Sequence, residues 1–504
     1  VLHSFDWLAR WATYRPDKVA FKEFETGRSL TFAQLNRLGN HLAHHLQSQM
    51  GFDKGSRIAI IAENCLEYWI LFTAMQKTGG ILAPLNYRLA GAELDYLLSD
   101  CDPQILICED KFSPKLEGSA QRDKIPFVLS VSELSDMCSS EQEETAVEPY
   151  TEVSIQEEDP ILILYTSGTT GFPKGALYTH KMLFWNSINT ALSLIVNTES
   201  RTINCMPPFH TGGWNVLSTP FLHHGGYSCL VKSFDAAVIL QLLEEERATI
   251  FMGVPTMLKR MAEQPEFASC DFKSLHYMVV GGEPMPLPLI RQWHQRGVPI
   301  RQGYGMTEVG PNLTSLHQQD AVTKIGSIGR ANFYVDTRIV DEAGHDCAPG
   351  KAGELLLKGP MVTPGYWNKP AATSEALTDG WFKTGDRVLQ DEEGYLFVVD
   401  RIKNMFISGG ENIYPAEVER VIQSHPAVNE VAVIGVPDPK WGETGKAFIV
   451  SKTPLQITAI QDYCCRRLAK FKIPKYVVFM DELPKNDTGK IDREMLAGLS
   501  QEDA

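Results

Sequence analysis

Short apolar runs separated by amphipathic stretches recur between residues 161 and 308, and each run ends in a loop of unusual composition. Ile161 to Leu164 leads into a stretch rich in Gly, Ser and Thr, and Thr202 to Met206 into Pro207-Pro-Phe-His-Thr-Gly-Gly-Trp214. Thr249 to Val254 leads into Pro255-Thr256, Tyr277 to Val280 into Gly281-Gly-Glu-Pro-Met285, and Val298 to Gln302 into Gly303-Tyr-Gly-Met-Thr-Glu308. Such alternation predicts strand and helix in an α/β layer. Ligands of open α/β sheets bind beyond the carboxyl ends of the strands, so these loops are expected to converge on one crevice. The helices look ordinary: Asp235 to Arg247 starts with a capping acid and carries clustered apolar residues.

Residues 1 to 138 read as further α/β structure, with Leu30 to Leu46 a capped amphipathic helix. His41, His44 and His45 have helical metal-ligand spacing there, but with no acidic or cysteine partners nearby they read as a polar helix face. Residues 139 to 160 carry eight acids and no lysine or arginine, a solvated connector. From 326 to 400 the texture changes to short strands broken by Gly, Pro and Asp, predicting a small β-rich subdomain. The last hundred or so residues alternate strand and helix on their own, enough to fold separately. The expected division is 1–402 and 403–504, with a hinge at Lys403.

A chain of 504 residues needs more than one core. The 43% hydrophobic and 22% charged content is that of a globular protein, and no apolar run is long enough to cross a bilayer. A cytoplasmic location is expected, with peripheral membrane contact left open. Ten scattered cysteines without a CxxC pair read as reduced thiols. A formal charge of -15 argues against a nucleic-acid partner.

Candidate chemistry concentrates in Tyr165-Thr-Ser-Gly-Thr-Thr-Gly-Phe-Pro-Lys-Gly175. Its glycines let backbone amides turn toward an anion, Thr166, Ser167, Thr169 and Thr170 add hydroxyls, and Lys174 adds a mobile charge. A plain surface loop is the alternative for a short Gly/Ser/Thr cluster, but here a lysine closes an unbroken run. The P-loop of ordinary NTPases is excluded, because Lys174 is followed by Gly175 rather than Ser or Thr.

That loop, Gly303 to Glu308, Trp381-Phe-Lys-Thr-Gly-Asp-Arg387, Asp400 to Asn412 and Pro484 to Lys490 occur in the order found in the adenylate-forming superfamily. The chain resembles its AMP-forming acyl-CoA synthetases over essentially its whole length. The resemblance implies a large N-terminal domain of α/β layers with a small β-rich subdomain, and a small mobile α+β C-terminal domain. It implies a reaction in which a carboxylate attacks the α-phosphorus of ATP, releasing pyrophosphate, and the thiol of coenzyme A then displaces AMP. Thr166 and Glu308 would hold Mg²⁺. Ser167, Gly168, Thr169, Thr170 and Lys174 would clamp the departing phosphates. Gly282, Glu283 and Pro284 with Gly303, Tyr304, Gly305 and Met306 would form the adenine slot, and Thr307 would bond the α-phosphate. Asp386 would accept the ribose hydroxyls, Arg401 would lie on the ribose side, and Lys490 would be the catalytic lysine. Ser408, Gly409 and Gly410 would guide the pantetheine arm, with Trp441, Phe471, Lys472 and Lys475 as further coenzyme A contacts.

By the same resemblance the acyl pocket lies beside His210, Gly212, Gly213, Trp214 and Val254. His210 would flank the carboxylate, Trp214 would gate the pocket or simply fill the core, and the two glycines would leave room for a slender chain. Ile407 and Asn412 replace a lysine and tryptophan of some long-chain members. The expectation is therefore a medium- or long-chain fatty acid, with an aryl acid as the enzyme alternative and a non-catalytic acyl or nucleotide binder as the other class. Oligomeric state is not legible.

Overall fold

The computed structural model describes residues 5–138, 148–151, 153–166, 173–282, 285–408, 411–439, 441–468, 470–486 and 489–502. By packing, the chain divides into two compact units. The first comprises residues up to Thr337 together with Leu357–Phe382; the second comprises Arg338–Leu356 and the chain from Lys383 onward.

The first unit is built on three sheets. Six strands run in the order Phe127–Ser130, Ile105–Cys108, Arg57–Ile61, Ile81–Pro84, Pro160–Thr166 and Lys174–Thr179. Four more run Ser29–Thr31, Val19–Glu23, Tyr227–Leu230, Arg201–Asn204, and a third sheet runs Ile250–Gly253, Tyr277–Val280, Ile300–Tyr304, Thr314–Leu316, Arg330–Ala331. The apolar runs expected in one open sheet are therefore spread over all three. The reason is physical: period and length mark a run as a strand but do not choose its neighbour. Pro160–Thr166 and Lys174–Thr179 are also antiparallel, with Thr166 opposite Lys174. A parallel pairing would need a crossover of a dozen or more residues, which the short connection between them cannot supply.

Local signals behave as expected. The helix Phe32–Met50 begins at a Thr31–Gln34 capping box and ends at Gly51, whose φ is +60°. Asp235 caps Ala236–Glu245 by accepting from the amides of Ala237 and Val238. Among the described residues, no metal-ligating cluster forms around His41, His44 and His45, and no helix is long and apolar enough to cross a membrane. The cysteines are free, nearly all of them buried.

His180 starts the helix His180–Leu194 and is 2% exposed, its ring 5.2 Å from that of Phe5. Burial pushes its pKa down to about 4, so the folded imidazole is neutral. The unfolded chain takes up this proton near pH 6.5, so its contribution is complete above that pH and is lost as pH falls toward the folded value. The loss is up to about 3 kcal/mol. Acid titration of the unfolding midpoint should show this decline between pH 6.5 and 4, and His180→Leu should flatten it.

In the second unit the strands Glu411–Ile413, Phe406–Ser408, Gly442–Ser451 and Val428–Asp438 form a sheet in that order, with Tyr476–Phe479 parallel to Gly442–Ser451. Helices Pro415–Gln423 and Ile457–Cys465 contribute Val418, Ile422, Ile460 and Cys464 to its core. This is the α+β tail expected from its alternating pattern.

Candidate active site

Ser167, Gly168, Thr169 and Thr170 lie outside the described residues, as do Glu283, Pro284, Gly409 and Gly410. The two ends of the glycine-rich loop are described. Thr166 donates its hydroxyl to the Lys174 carbonyl at 3.3 Å, which ties the end of one strand to the start of the next. Lys174 then lays its ammonium over the ring of Tyr366, 5.4 Å from the centroid. The Tyr366 hydroxyl donates to Glu308 at 2.9 Å. Burial, and then the Glu308 charge, raise the Tyr366 pKa, so the phenol stays a donor. One side chain thus links Lys174 to the buried carboxylate of Glu308.

Tyr366 belongs to a segment laid along Lys174–Thr179, the edge strand of the six-stranded sheet. Trp367 donates its amide to the Gly175 carbonyl at 2.7 Å, and Leu177 donates to Gly365 at 3.1 Å. Thr363 donates its amide to the Glu308 carbonyl at 2.8 Å and its hydroxyl to Leu177. Asp100, whose side chain is 5% exposed, accepts from the Tyr165 hydroxyl and pairs with Lys369, both at 2.9 Å, while its carbonyl accepts from the Trp367 indole. Sequence reasoning missed Tyr366, Thr363 and Asp100. The only local signal was an aromatic pair after Gly365, which by itself means packing.

Gly303 and Tyr304 end the strand Ile300–Tyr304, followed by Met306 and the single turn Thr307–Val309 that carries Glu308. A side chain at Gly305 would fall 2.0 Å from the Pro311 carbonyl oxygen, so this glycine is dictated by packing. Gly282 has φ +86°, and Val254 lies 3.7 Å from the place a Cβ would take there. Val254 therefore sits beside the adenine-slot candidates as well as the acyl ones.

Trp214 is 1% exposed and lies within 6 Å of the rings of Tyr68, Trp69 and Phe72, its indole donating to the Pro208 carbonyl at 2.5 Å. The structure places it in the core. Gly213 faces the Pro207 carbonyl, 2.5 Å from where a Cβ would sit, so close backbone approach explains it rather than space for a substrate. Gly212 instead faces the methyl groups of Met206 and Met252, at 3.5 and 3.9 Å. His210 precedes the short helix Thr211–Trp214, its ring 4.6 Å from that of Phe209.

In the second unit Asp386 and Arg401 face each other across an antiparallel pair, Arg401 Nε 3.1 Å from the buried Asp386 carboxylate. Asp400 accepts from the amides of Arg401 and Ala416, fixing the turn into Pro415–Gln423. Lys490 is exposed, and its backbone is held on both sides by Asn486: its amide donates to the Asn486 side chain at 3.1 Å, and its carbonyl accepts from the Asn486 amide at 2.8 Å. Lys475 and the amide of Trp441 converge on Asp438, at 2.5 and 3.0 Å, whereas Lys472 pairs with Glu417 at 2.7 Å and lies near Phe471. Ser408 is buried opposite Gly442. The backbone of Lys403 lies in the turn Ile402–Asn404.

This set of strand-end loops and acidic and basic side chains is found in a known family. The AMP-binding enzyme model matches residues 8–367, and the AMP-binding enzyme C-terminal domain model matches residues 417–490. The chain is 38% identical to a feruloyl-CoA synthase of an Amycolatopsis species, over 96% of each chain. It is 37% identical to the long-chain-fatty-acid–CoA ligase FadD13 of Mycobacterium tuberculosis, over 98% of each. The o-succinylbenzoate coenzyme A synthetase of Bacillus subtilis, solved with ATP and a magnesium ion, superposes with a TM-score of 0.85 at 31% identity, covering 98% of this chain and 99% of that one. The chain belongs to the AMP-binding enzyme family, within the adenylate-forming superfamily. Within it, the protein is an acid–thiol ligase of the acyl- and aryl-CoA type.

Proposed function

We propose that the protein activates a medium-length carboxylic acid, fatty or aryl, as its acyl-adenylate at the expense of ATP, and transfers the acyl group to coenzyme A. The observation that carries this reading is the Lys174–Tyr366–Glu308 arrangement, which gathers a cation and a buried carboxylate at the exit of the glycine-rich loop. Adenylation needs positioning and charge neutralisation rather than a protein nucleophile. Lys174 and the loop hydroxyls steady the β and γ phosphates that leave as pyrophosphate. The hard oxygens of Thr166 and Glu308 suit Mg²⁺, which when bound neutralises charge on the polyphosphate.

Tyr304 stacks on the adenine, and Asp386, held by Arg401, accepts from the ribose hydroxyls. Lys490 neutralises charge between the substrate carboxylate and the α-phosphate during adenylation. The chain after Lys403, turning on that residue as a hinge, then exchanges Lys490 for Ser408 to Gly410, along which the thiol of coenzyme A approaches. Trp441 and Phe471, whose rings are exposed, are the better candidates for coenzyme A contact, because Lys472 and Lys475 are engaged by Glu417 and Asp438. Trp214, packed among Tyr68, Trp69 and Phe72, fills the space beside the acyl loop, which supports a medium-length acid over a long chain.

Pyrophosphate release measured with straight-chain acids of increasing length and with hydroxycinnamic acids tests this reading. Activity should peak at medium length or with the aryl acids and fall at least tenfold for long chains. ATP binding without pyrophosphate release for any acid would instead mark a non-catalytic binder.

A further inference from the structure

Arg301 is a guanidinium taken out of water, and among the described residues no acid is paired with it. It is 5% exposed, and its Nε is buried without a hydrogen-bond partner. Its neighbour is Tyr277, a neutral side chain whose ring lies 5.0 Å from the guanidinium carbon and whose hydroxyl donates to the Leu194 carbonyl while its oxygen faces the guanidinium. Burial holds the Arg301 pKa below its ordinary value. Lys77 and Arg28, by contrast, are matched, Lys77 by Asp6 and Arg28 by Glu23 and Glu67. An uncompensated buried charge costs several kcal/mol, so such a group calls for a partner that binding would bring.

Its position says where that partner comes from. Met252, Val279 and Arg301 are paired across three adjacent parallel strands and form one transverse row. Side chains alternate along a strand, so this row shares its face with Gly281 and Gly303, two residues nearer the carboxyl ends. A Cβ at Gly281 would meet only the Gly303 carbonyl at 3.4 Å, and one at Gly303 only the Thr314 carbonyl at 3.2 Å. Among the described residues no side chain comes within 4 Å of either of these Cβ positions. At the other end of the row, the Met252 methyl lies 3.9 Å from the Cβ position of Gly212, on the acyl loop. A bare strip thus runs from the strand ends, where Thr307 and Glu308 follow, down to a row closed by Met252 on one side and Arg301 on the other.

We propose that Arg301 reads a second carboxylate at the far end of the substrate, and that the acid this enzyme activates is a dicarboxylic acid of moderate length. The inference rests on the acid–thiol ligase reading above and names its substrate class. The reacting carboxylate lies at the strand ends; the second lies along the bare strip, about 7 Å away at two residues of strand rise. A planar guanidinium donates two parallel hydrogen bonds to a carboxylate. A plain alkyl end would leave the charge as it stands in the free enzyme, buried and unmatched.

The test is kcat/KM for pyrophosphate release with adipate against hexanoate, in the wild type, Arg301→Met and Arg301→Lys. Wild type should favour adipate by about 10- to 100-fold, the range of one charge-assisted hydrogen-bond pair. Arg301→Met should reverse the preference while keeping or raising activity on hexanoate, and Arg301→Lys should keep part of it. If Arg301→Met does not fold, the adipate-to-hexanoate ratio in Arg301→Lys decides: a fall of several-fold supports the proposal and an unchanged ratio overturns it. A wild type that activates hexanoate at least as well as adipate, with a ratio the variants do not move, also overturns it. Release with no acid of any class would instead sink the ligase reading itself.

Discussion

Lys490→Ala is expected to lower pyrophosphate release by about 10² to 10³, roughly 3 to 4 kcal/mol of transition-state stabilisation, while leaving thioester formation from supplied acyl-adenylate nearly unchanged. The size follows from removing one positioned donor where charge builds between carboxylate and α-phosphate. The selectivity follows from where the residue stands. Lys490 is exposed in the second unit, and Asn486 holds its backbone from both sides, so the truncation removes a charged tip without opening a core. Folding is therefore expected to be intact, which thermal melting would verify. Acyl-adenylate with coenzyme A in single turnover, set beside adenylation measured by pyrophosphate release, separates the half-reactions. Equal loss in both would mean that Lys490 acts in general binding or folding and not in the adenylation step.

Lys490 was singled out because it stands at the end of an ordered series of motifs that extends over most of the chain. Strands and helices were legible for a different reason, since their periods are local: the capping box at Thr31, the cap at Asp235 and the strand runs from Ile161 to Tyr304 fall where the pattern puts them. Sheet membership was not local and was misread. Pairing of Tyr227–Leu230 with Val19–Glu23 joins residues about two hundred apart, and no period in either strand encodes it. The same distinction governs the site. Gly213 and Gly305 look like room for a ligand on paper and prove to be close backbone approaches. Trp214 could be gate or core until its neighbours Tyr68, Trp69 and Phe72 are known. Asp100 and Tyr366 are ordinary residues in sequence, and they acquire meaning only when Tyr165, Lys174 and Glu308 arrive beside them. Arg301 is the extreme case. Nothing in its own segment marks it, and only its burial, with no acid paired to it among the described residues, makes it unusual.

Glu308→Gln should abolish adenylation, by 10³-fold or more if its carboxylate is a magnesium ligand, because the neutral amide keeps the shape and loses the charge. Tyr366 makes a finer test of the same assembly. Tyr366→Phe retains the ring under the Lys174 ammonium and deletes only the hydroxyl on Glu308. The lost hydrogen bond to a charged acceptor is worth about 1.5 to 3 kcal/mol, so pyrophosphate release should fall about 10- to 100-fold. A carboxylate no longer held in one orientation should also need more Mg²⁺ for half-maximal activity. Tyr366→Leu removes the ring as well, so it should add a rise in KM for ATP as Lys174 loses its platform. The two readouts separate positioning from packing: a Tyr366 that served only as filler would lower thermal stability in both variants and leave the Mg²⁺ requirement unmoved. If Glu308→Gln kept its full magnesium-dependent rate, the assignment of the metal carboxylate would fall, and the Tyr366 argument would fall with it. If Glu308→Gln were dead and Tyr366→Phe unaffected, Glu308 would be held in place without Tyr366, its backbone fixed through Thr363 and the turn Thr307–Val309.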